Sequence, residues 1–248
     1  MKRVVLLSII YGFMLFSCKE RQASTLNVNE IINKSIEISG GEKFATSTIE
    51  FDFRDKHYKA IRNNGLYQFE RHFNDSVFSI KDVISNKGFS RFVTDGLLEI
   101  PDSMVVKYSA SVNSVHYFSI LPYGLNDDAV IKTYLGEEII KNDNYHKVQV
   151  TFMQDGGGED FEDVFVYWIN SRTFIADFLA YSYNEKDGLG LRFREAYNER
   201  FVNGLRFVDY NNFKPEDKTV SVTELGSLFD TNQLKLLSKI DLKNVTVN

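Results

Sequence analysis

From Ile49 onward the apolar residues of this chain recur at every second position. Ile49, Phe51 and Phe53 alternate with Glu50, Asp52 and Arg54, and Tyr67, Phe69 and Phe73 stand among Gln68, Glu70 and His72. Successive side chains of a strand point to opposite faces, so a period of two predicts antiparallel strands with one buried and one wet face. Similar runs follow at 76–84, 89–100, 145–152, 163–169, 173–183 and 205–213, separated by short Asn- and Gly-containing groups that read as turns. Residues 188–201 fit both periods, because Phe193, Tyr197 and Phe201 are spaced by four. Alternation of Leu189, Leu191 and Phe193 ahead of them and the Asn203-Gly204 turn behind make the segment a strand, against its helix-favouring local composition.

Helical spacing is confined to a few places. Val28, Ile31, Ile32, Ile36 and Ser39 share one face, Asn27 and Glu30 form a capping-box pair, and Gly40-Gly41 stop the helix. Between Asp102 and Pro122, Val105, Tyr108, Val112 and Val115 line one side of an inserted helix that the proline ends. Residues 230–240 predict a closing helix. The fold class that follows is mainly β (α+β): a single curved antiparallel sheet, an open half-barrel, covered by the N-terminal helix and the inserted helix. Alternation places Phe51, Phe53, Tyr67, Phe69, Phe193 and Tyr197 on faces able to meet those helices.

The N-terminus carries a different signal. Lys2 and Arg3 precede an apolar run from Val4 to Phe16, and Lys19, Glu20 and Arg21 follow it. The run is shorter than the roughly 20 apolar residues a spanning helix needs, so it reads as a secretory signal. Leu15-Phe16-Ser17-Cys18 then resembles the lipobox of bacterial lipoproteins. That resemblance implies cleavage after Ser17 and acylation of Cys18, whose sulfur is the nucleophile the chemistry requires. Each buried methylene contributes about 0.8 kcal/mol, so two or three acyl chains hold such a protein on a membrane. Cys18 is the chain's one cysteine, which excludes an internal disulfide. The expected organisation is a signal peptide at 1–17, a lipidated tether at 18–26 and a single domain at 27–248.

The order of these elements, with "YWINSRTFIADFLAYSY" and "FREAYNERFVNGLRFVDYNNF", resembles the LolA/LolB-like lipoprotein-carrier superfamily. The likeness is strongest from Val164 to Phe213 and weaker from Asn27 to Phe152. It implies an unclosed barrel of curved antiparallel sheet, plugged by helices, with room between the layers for acyl chains or other apolar ligands. "LPYGLND", "GGGEDFEDVFVYW" and "RFREAYNERFVNG" are similar to segments of uncharacterised Gram-negative lipoproteins. No residue matches the exposed apolar loop of the superfamily's membrane-bound acceptor, so lipoprotein transfer is not implied.

Chemical signatures are sparse. A net charge of −5 argues against a nucleic-acid partner, whose phosphates demand clustered cations. His57, His72, His116 and His146 have no metal-ligand spacing. The acidic glycine stretch at 154–163 offers oxygen ligands for Ca²⁺, but it lacks the EF-hand and β-roll patterns and reads as a solvated hairpin loop. Hydrolase, zincin and P-loop motifs are absent, and carboxylate pairs such as Asp127-Asp128 are expected among 34 acidic residues. The sequence therefore predicts no catalytic residue, metal or cofactor, and no enzyme. "LPYGLND" reads first as a helix stop and turn, and second as a lid at the open edge of the sheet. Among 21 Phe, 13 Tyr and one Trp, Trp168, Phe178, Tyr181, Tyr183, Phe193 and Tyr197 are the candidate lining of a ligand cavity. The expectation is a periplasm-facing lipoprotein of the Gram-negative outer membrane, anchored through Cys18, that binds an apolar or amphiphilic ligand. The alternative is an envelope structural or interaction lipoprotein with a packed core; an enzyme is the third choice.

Overall fold

The computed structural model describes residues 27–158, 161–185 and 188–248. Helix α1 (Val28–Ser39) starts as its sequence dictates: Asn27 Oδ1 accepts from the Glu30 N–H at 3.0 Å while Glu30 Oε2 accepts from the Asn27 N–H at 3.0 Å. Its Ile31 and Ile32 are fully buried. Six strands then follow as a meander, β1 (Thr48–Phe53), β2 (Lys56–Asn63), β3 (Leu66–Asn74), β4 (Ser79–Ser85), β5 (Gly88–Val93) and β6 (Gly96–Leu98). Helix α2 (Asp102–Ser119) is the inserted helix, and it stops three residues before Pro122.

The second half is a longer meander: β7 (Val130–Ile140), β8 (Asp143–Phe152), β9 (Val164–Asn170), β10 (Ala176–Glu185), β11 (Gly188–Val202) and β12 (Leu205–Pro215). Residues 188–201 are strand, as their alternation requires. Asn203 and Gly204 turn the β11–β12 hairpin with φ of 49° and 80°, the left-handed region that an Asn-Gly hairpin favours. The closing helix is not formed. Residues 225–230 make the short helix α3 (Leu225–Asp230), and the following segment is strand β13 (Leu234–Ile240). Leu234 and Leu237 have helical spacing, yet pairing with β12 gives the segment's backbone a full ladder, and that gain outweighs weak local helix propensity.

The last strand, β14 (Leu242–Val247), pairs with β1. Hydrogen bonding thus divides the strands into two seven-stranded antiparallel sheets, with orders β14-β1-β2-β3-β4-β5-β6 and β13-β12-β11-β10-β9-β8-β7. The chain crosses from the second sheet to the first through Asp241 alone. Among the described residues no pairing closes the strands into a barrel, so the architecture is the open, mainly β one expected.

The main core lies between the sheets. Ile49, Phe51, Phe53 and Tyr58 of the first sheet meet Val148, Tyr167, Leu179 and Phe207 of the second, with α1 and Val115 of α2 packed among them. A second core covers the opposite face of the second sheet, where Trp168, Phe178, Phe193 and Leu191 pack beneath Leu225 and Phe229 of α3. Sheet 2 is therefore buried on both faces at β9 and β10, which explains the unbroken apolar run in β9.

Candidate functional site

The C-terminal half of α2 runs through the main core and presents different residues to the two sheets. Towards the first sheet, the His116 ring stacks on Phe69 with centroids 4.9 Å apart and lies edge-on to Tyr58 at 5.5 Å. His116 Nε2 lies 3.0 Å from the Glu70 carbonyl, so that nitrogen carries the proton and donates it. Burial pushes the His116 pKa down to about 3, which keeps the ring neutral, and its Nδ1 has no partner. Towards the second sheet, Tyr117 meets Phe165 at 6.2 Å, and Phe118 lies 5.1 Å from the Arg194 guanidinium.

Arg62 comes from the inner face of β2, in register with Tyr58 and Ala60. It is 9% exposed, and its guanidinium lies 4.7 Å above the Phe69 ring. Its Nη1 is buried without a hydrogen-bond partner. Burial lowers the Arg62 pKa to about 10, so the group stays charged at neutral pH. Tyr123 and Asp127, both in the turn after α2, are the groups whose fields act to hold its proton. No carboxylate pairs with it among the described residues. Burial and Asp128 raise the Asp127 carboxyl above its usual range, with Arg62 acting in the opposite sense.

From Asp127 a line of polar groups continues across the core. The field of Asp127 reaches Tyr117, whose hydroxyl burial pushes up to about 12. Tyr117 and Tyr167 perturb each other, yet neither hydroxyl meets a partner in hydrogen-bonding geometry. Arg194 of β11 follows. Its Nη2 donates to the Tyr181 hydroxyl at 2.9 Å, and its guanidinium is ringed by Tyr181 at 4.9 Å, Phe118 at 5.1 Å and Tyr210 at 5.8 Å. Arg194 Nε is buried and unpartnered. Arg62 Nη1, His116 Nδ1, Tyr117 OH, Tyr167 OH and Arg194 Nε thus form a seam of unmet hydrogen-bonding capacity inside an apolar core. Buried polar groups are ordinarily satisfied, and each that is not costs about 1–3 kcal/mol.

The sequence-predicted lining residues separate in space. Tyr181 borders the seam through its hydroxyl, which accepts from Arg194, and Tyr183 continues the same face of β10 with its ring 5.7 Å from that of Tyr181. Trp168, Phe178 and Phe193 lie on the other face of the sheet, in the core under α3. Packing there is tight: a Cβ on Gly226 of α3 would fall 2.6 Å from the Trp168 indole. Tyr197 braces the crossover between sheets by donating to Asp241. Cys18, the signal and the tether lie outside the described residues. Phe51, Phe53 and Phe69 do meet the helices, Phe193 meets α3 instead, and Tyr67 is at the surface.

Open cavities lie on the outside. One of about 490 Å³ borders His57, His72, Asp52 and Lys243 on the outer face of the first sheet. His57 there is held between Asp52 at 2.8 Å and Glu50 at 3.4 Å, and His72 Nε2 lies 2.6 Å from Glu70, so both imidazoles are engaged. Among the described residues no three His, Cys, Asp or Glu side chains are arranged to hold a metal ion. No helix among them is long and apolar enough to cross a membrane. Of the residues at the seam, sequence reading names as lining only Tyr181, at its border. The signal for Arg62 is present: it falls at the apolar parity of β2, where a cation has no ordinary reason to be.

A family model described as a family of unknown function, DUF6503, matches residues 2–242. No curated protein matches the chain. In structure the chain is similar to a LolA superfamily protein of Nitrosomonas europaea, at 11% identity over 90% of this chain and 92% of that one, with a TM-score of 0.47. It is also similar to a DUF1329 family protein of Desulfovibrio piger, at 11% identity over 90% and 93% of the two chains, TM-score 0.41. A third is the lipoprotein LppX of Mycobacterium tuberculosis, at 14% identity over 64% and 88%, TM-score 0.28.

Proposed function

The chain belongs to the DUF6503 family, and we propose that it is a lipid-anchored binding module of the Gram-negative envelope that holds an amphiphilic ligand between α2 and the inner faces of its sheets. The observation that carries this reading is the seam. Aromatic walls supply apolar contact, while Arg194 Nε and the Tyr117 and Tyr167 hydroxyls are buried without a partner in hydrogen-bonding geometry. Such groups cost stability in the empty protein and repay it when a ligand arrives. The ligand reaches the seam as α2 and the turn at 121–127 shift. Cys18 provides the membrane anchor, through acyl chains that face the outer membrane. No residue is assigned a catalytic role.

Large, fully buried side chains such as Phe51, Tyr167 and Trp168 also favour a second reading, an envelope lipoprotein with a simply packed core that meets partners at an edge. Strand β7 is such an edge, with Ile131 and Ile139 exposed on it. Native mass spectrometry of the full lipidated chain, extracted in a non-ionic detergent, separates the two. A co-purifying amphiphile at one per chain supports the module. Absence of any such species, together with no saturable binding of an apolar fluorescent dye, overturns it in favour of the packed core.

A further inference from the structure

We infer that Arg62 is an anion site, and that the ligand it receives is a single-chain amphiphile ending in an oxyanion, a carboxylate or a phosphate monoester. The inference rests on reading the interior as a ligand site and names the chemistry of the head group. Arg62 is nine-tenths buried and charged, with an unpartnered Nη1 and no ion pair among the described residues. A buried guanidinium of this kind is the most costly type of unmet group a core can keep, and a carboxylate or phosphate oxygen is its natural complement. By contrast, the other buried arginines are all paired: Arg71 and Arg91 share Asp82 at 2.6 Å each, and Arg206 donates to Glu199.

Surroundings set the ligand's other properties. Arg62 is the cation whose field reaches both Tyr123 and Asp127, and Asp127 is the carboxyl that competes with a ligand anion for it. His116 Nδ1 is an unpartnered acceptor that stacks on the same Phe69 ring as Arg62, and it suits a hydroxyl or protonated oxygen next to the anion. The apolar part has a path. Tyr67 stands opposite Arg62 on β3, its ring is 4.9 Å from Phe69, and Tyr67 and Leu66 are exposed. An acyl chain laid along Tyr67 and Phe69 leads from the surface to the guanidinium.

The test uses the full chain in a non-ionic detergent, titrated with carboxyl-¹³C hexadecanoate, hexadecyl phosphate and uncharged hexadecanol. The expected result is saturable hexadecanoate binding about tenfold or more tighter than hexadecanol, as a charge-assisted hydrogen bond of a few RT gives. The bound ¹³C signal stays that of a carboxylate at pH values where the free acid protonates. Arg62→Met brings hexadecanoate down to the level of hexadecanol, and Arg62→Lys falls between. Asp127→Asn tightens hexadecanoate, because it removes a competing negative charge. Ligand-free Arg62→Met melts no lower than the wild type. Tighter binding of hexadecyl phosphate than of hexadecanoate keeps the oxyanion site and identifies phosphate as its source. Equal binding of all three probes, unchanged by Arg62→Met, overturns the anion site and leaves the binding module standing. No saturable binding of any probe overturns both. Arg62→Met melting well below the wild type makes Arg62 a structural cation, and the site falls with it.

Discussion

Two sets of buried arginines face the interior of the first sheet, and they are built on opposite principles. At the β4–β5 end, Asp82 is fully buried and accepts from Arg71 at 2.6 Å and from Arg91 at 2.6 Å, while Arg71 Nη1 also donates to Ser111 of α2 at 2.7 Å. Arg91 further stacks on Tyr108 of α2, 3.5 Å from the ring centroid. This cluster fastens the helix to the sheet. At the other end Arg62 has equal burial and no such partner. The protein can thus satisfy a buried guanidinium when the fold needs one, so the bare Arg62 stands out as a departure with a purpose other than stability.

The largest effect expected from this contrast is at Asp82. Asp82→Ala leaves two buried cations facing each other without their shared acceptor, and breaking a buried ion pair in this way costs about 3–5 kcal/mol. The denaturation midpoint should fall accordingly, and α2 should loosen with it. A variant that unfolds within about 1 kcal/mol of the wild type would erase the distinction between the two ends.

Next in size is the response to acid of the unpaired end. His116 is held neutral by burial, with a folded pKa of about 3 against roughly 6.5 unfolded. Between those values the unfolded chain binds the extra proton, so the His116 contribution is complete above about pH 6.5 and is lost as pH falls towards 3. The slope approaches 1.4 kcal/mol per pH unit, about 2–3 kcal/mol between pH 6.5 and 4.5. His116→Phe should flatten that part of the stability curve, as read by chemical denaturation at several pH values. An unchanged slope in the variant would assign the acid sensitivity to the carboxylates of the outer face.

Legibility from sequence follows the same division between what is local and what is not. The capping box at Asn27, the left-handed turn at Asn203-Gly204 and the strand parity of 188–202 depend on neighbouring residues, and each is where the sequence places it. Alternation tells that Trp168, Phe178 and Phe193 share a face. It cannot tell that α3 rather than α2 covers that face, because α3 is only six residues long and carries a weak signal. Residues 234–240 are misread since their apolar residues fit either period, and the deciding fact is the open edge of β12. The seam escapes for a deeper reason. An unpaired atom is defined by all the residues that do not reach it, and those come from β2, α2, the 121–127 turn, β9 and β11 together.

Smaller, and opposite in sign, is the effect of removing the bare cation. Arg62→Met keeps length and apolar contact with Phe69 while deleting a buried charge that nothing in the chain compensates. Replacing buried ionic groups by apolar ones of similar volume is often neutral or stabilising, and a gain of about 0–2 kcal/mol is expected here. Set beside the loss at Asp82, it would make the contrast between the ends quantitative. A loss above about 1 kcal/mol would show that Asp127 and Tyr123 already serve Arg62 well enough to stabilise the fold.

The smallest effect is the most specific to the seam. Tyr117→Phe removes one oxygen and leaves the ring against Phe165, so packing is unchanged and the mutation reads the hydroxyl alone. Where a buried hydroxyl is hydrogen-bonded, its removal costs about 1 kcal/mol. Here the Tyr117 hydroxyl is buried beside Tyr167 with no partner of proper geometry, so the variant should be as stable as the wild type or more stable by about 0–1 kcal/mol. Tyr210, a neighbour of Arg194, gives the sharper control when Tyr117→Phe and Tyr167→Phe are combined. If the two hydroxyls are a shared vacancy in the seam, the double variant gains no less than the sum of the singles and leaves the Arg194 environment intact, read by the Tyr210 ring signals. A measured loss of about 1 kcal/mol or more for either single change would mean that the hydroxyls satisfy each other in solution, and the seam would then shorten to its two arginine ends.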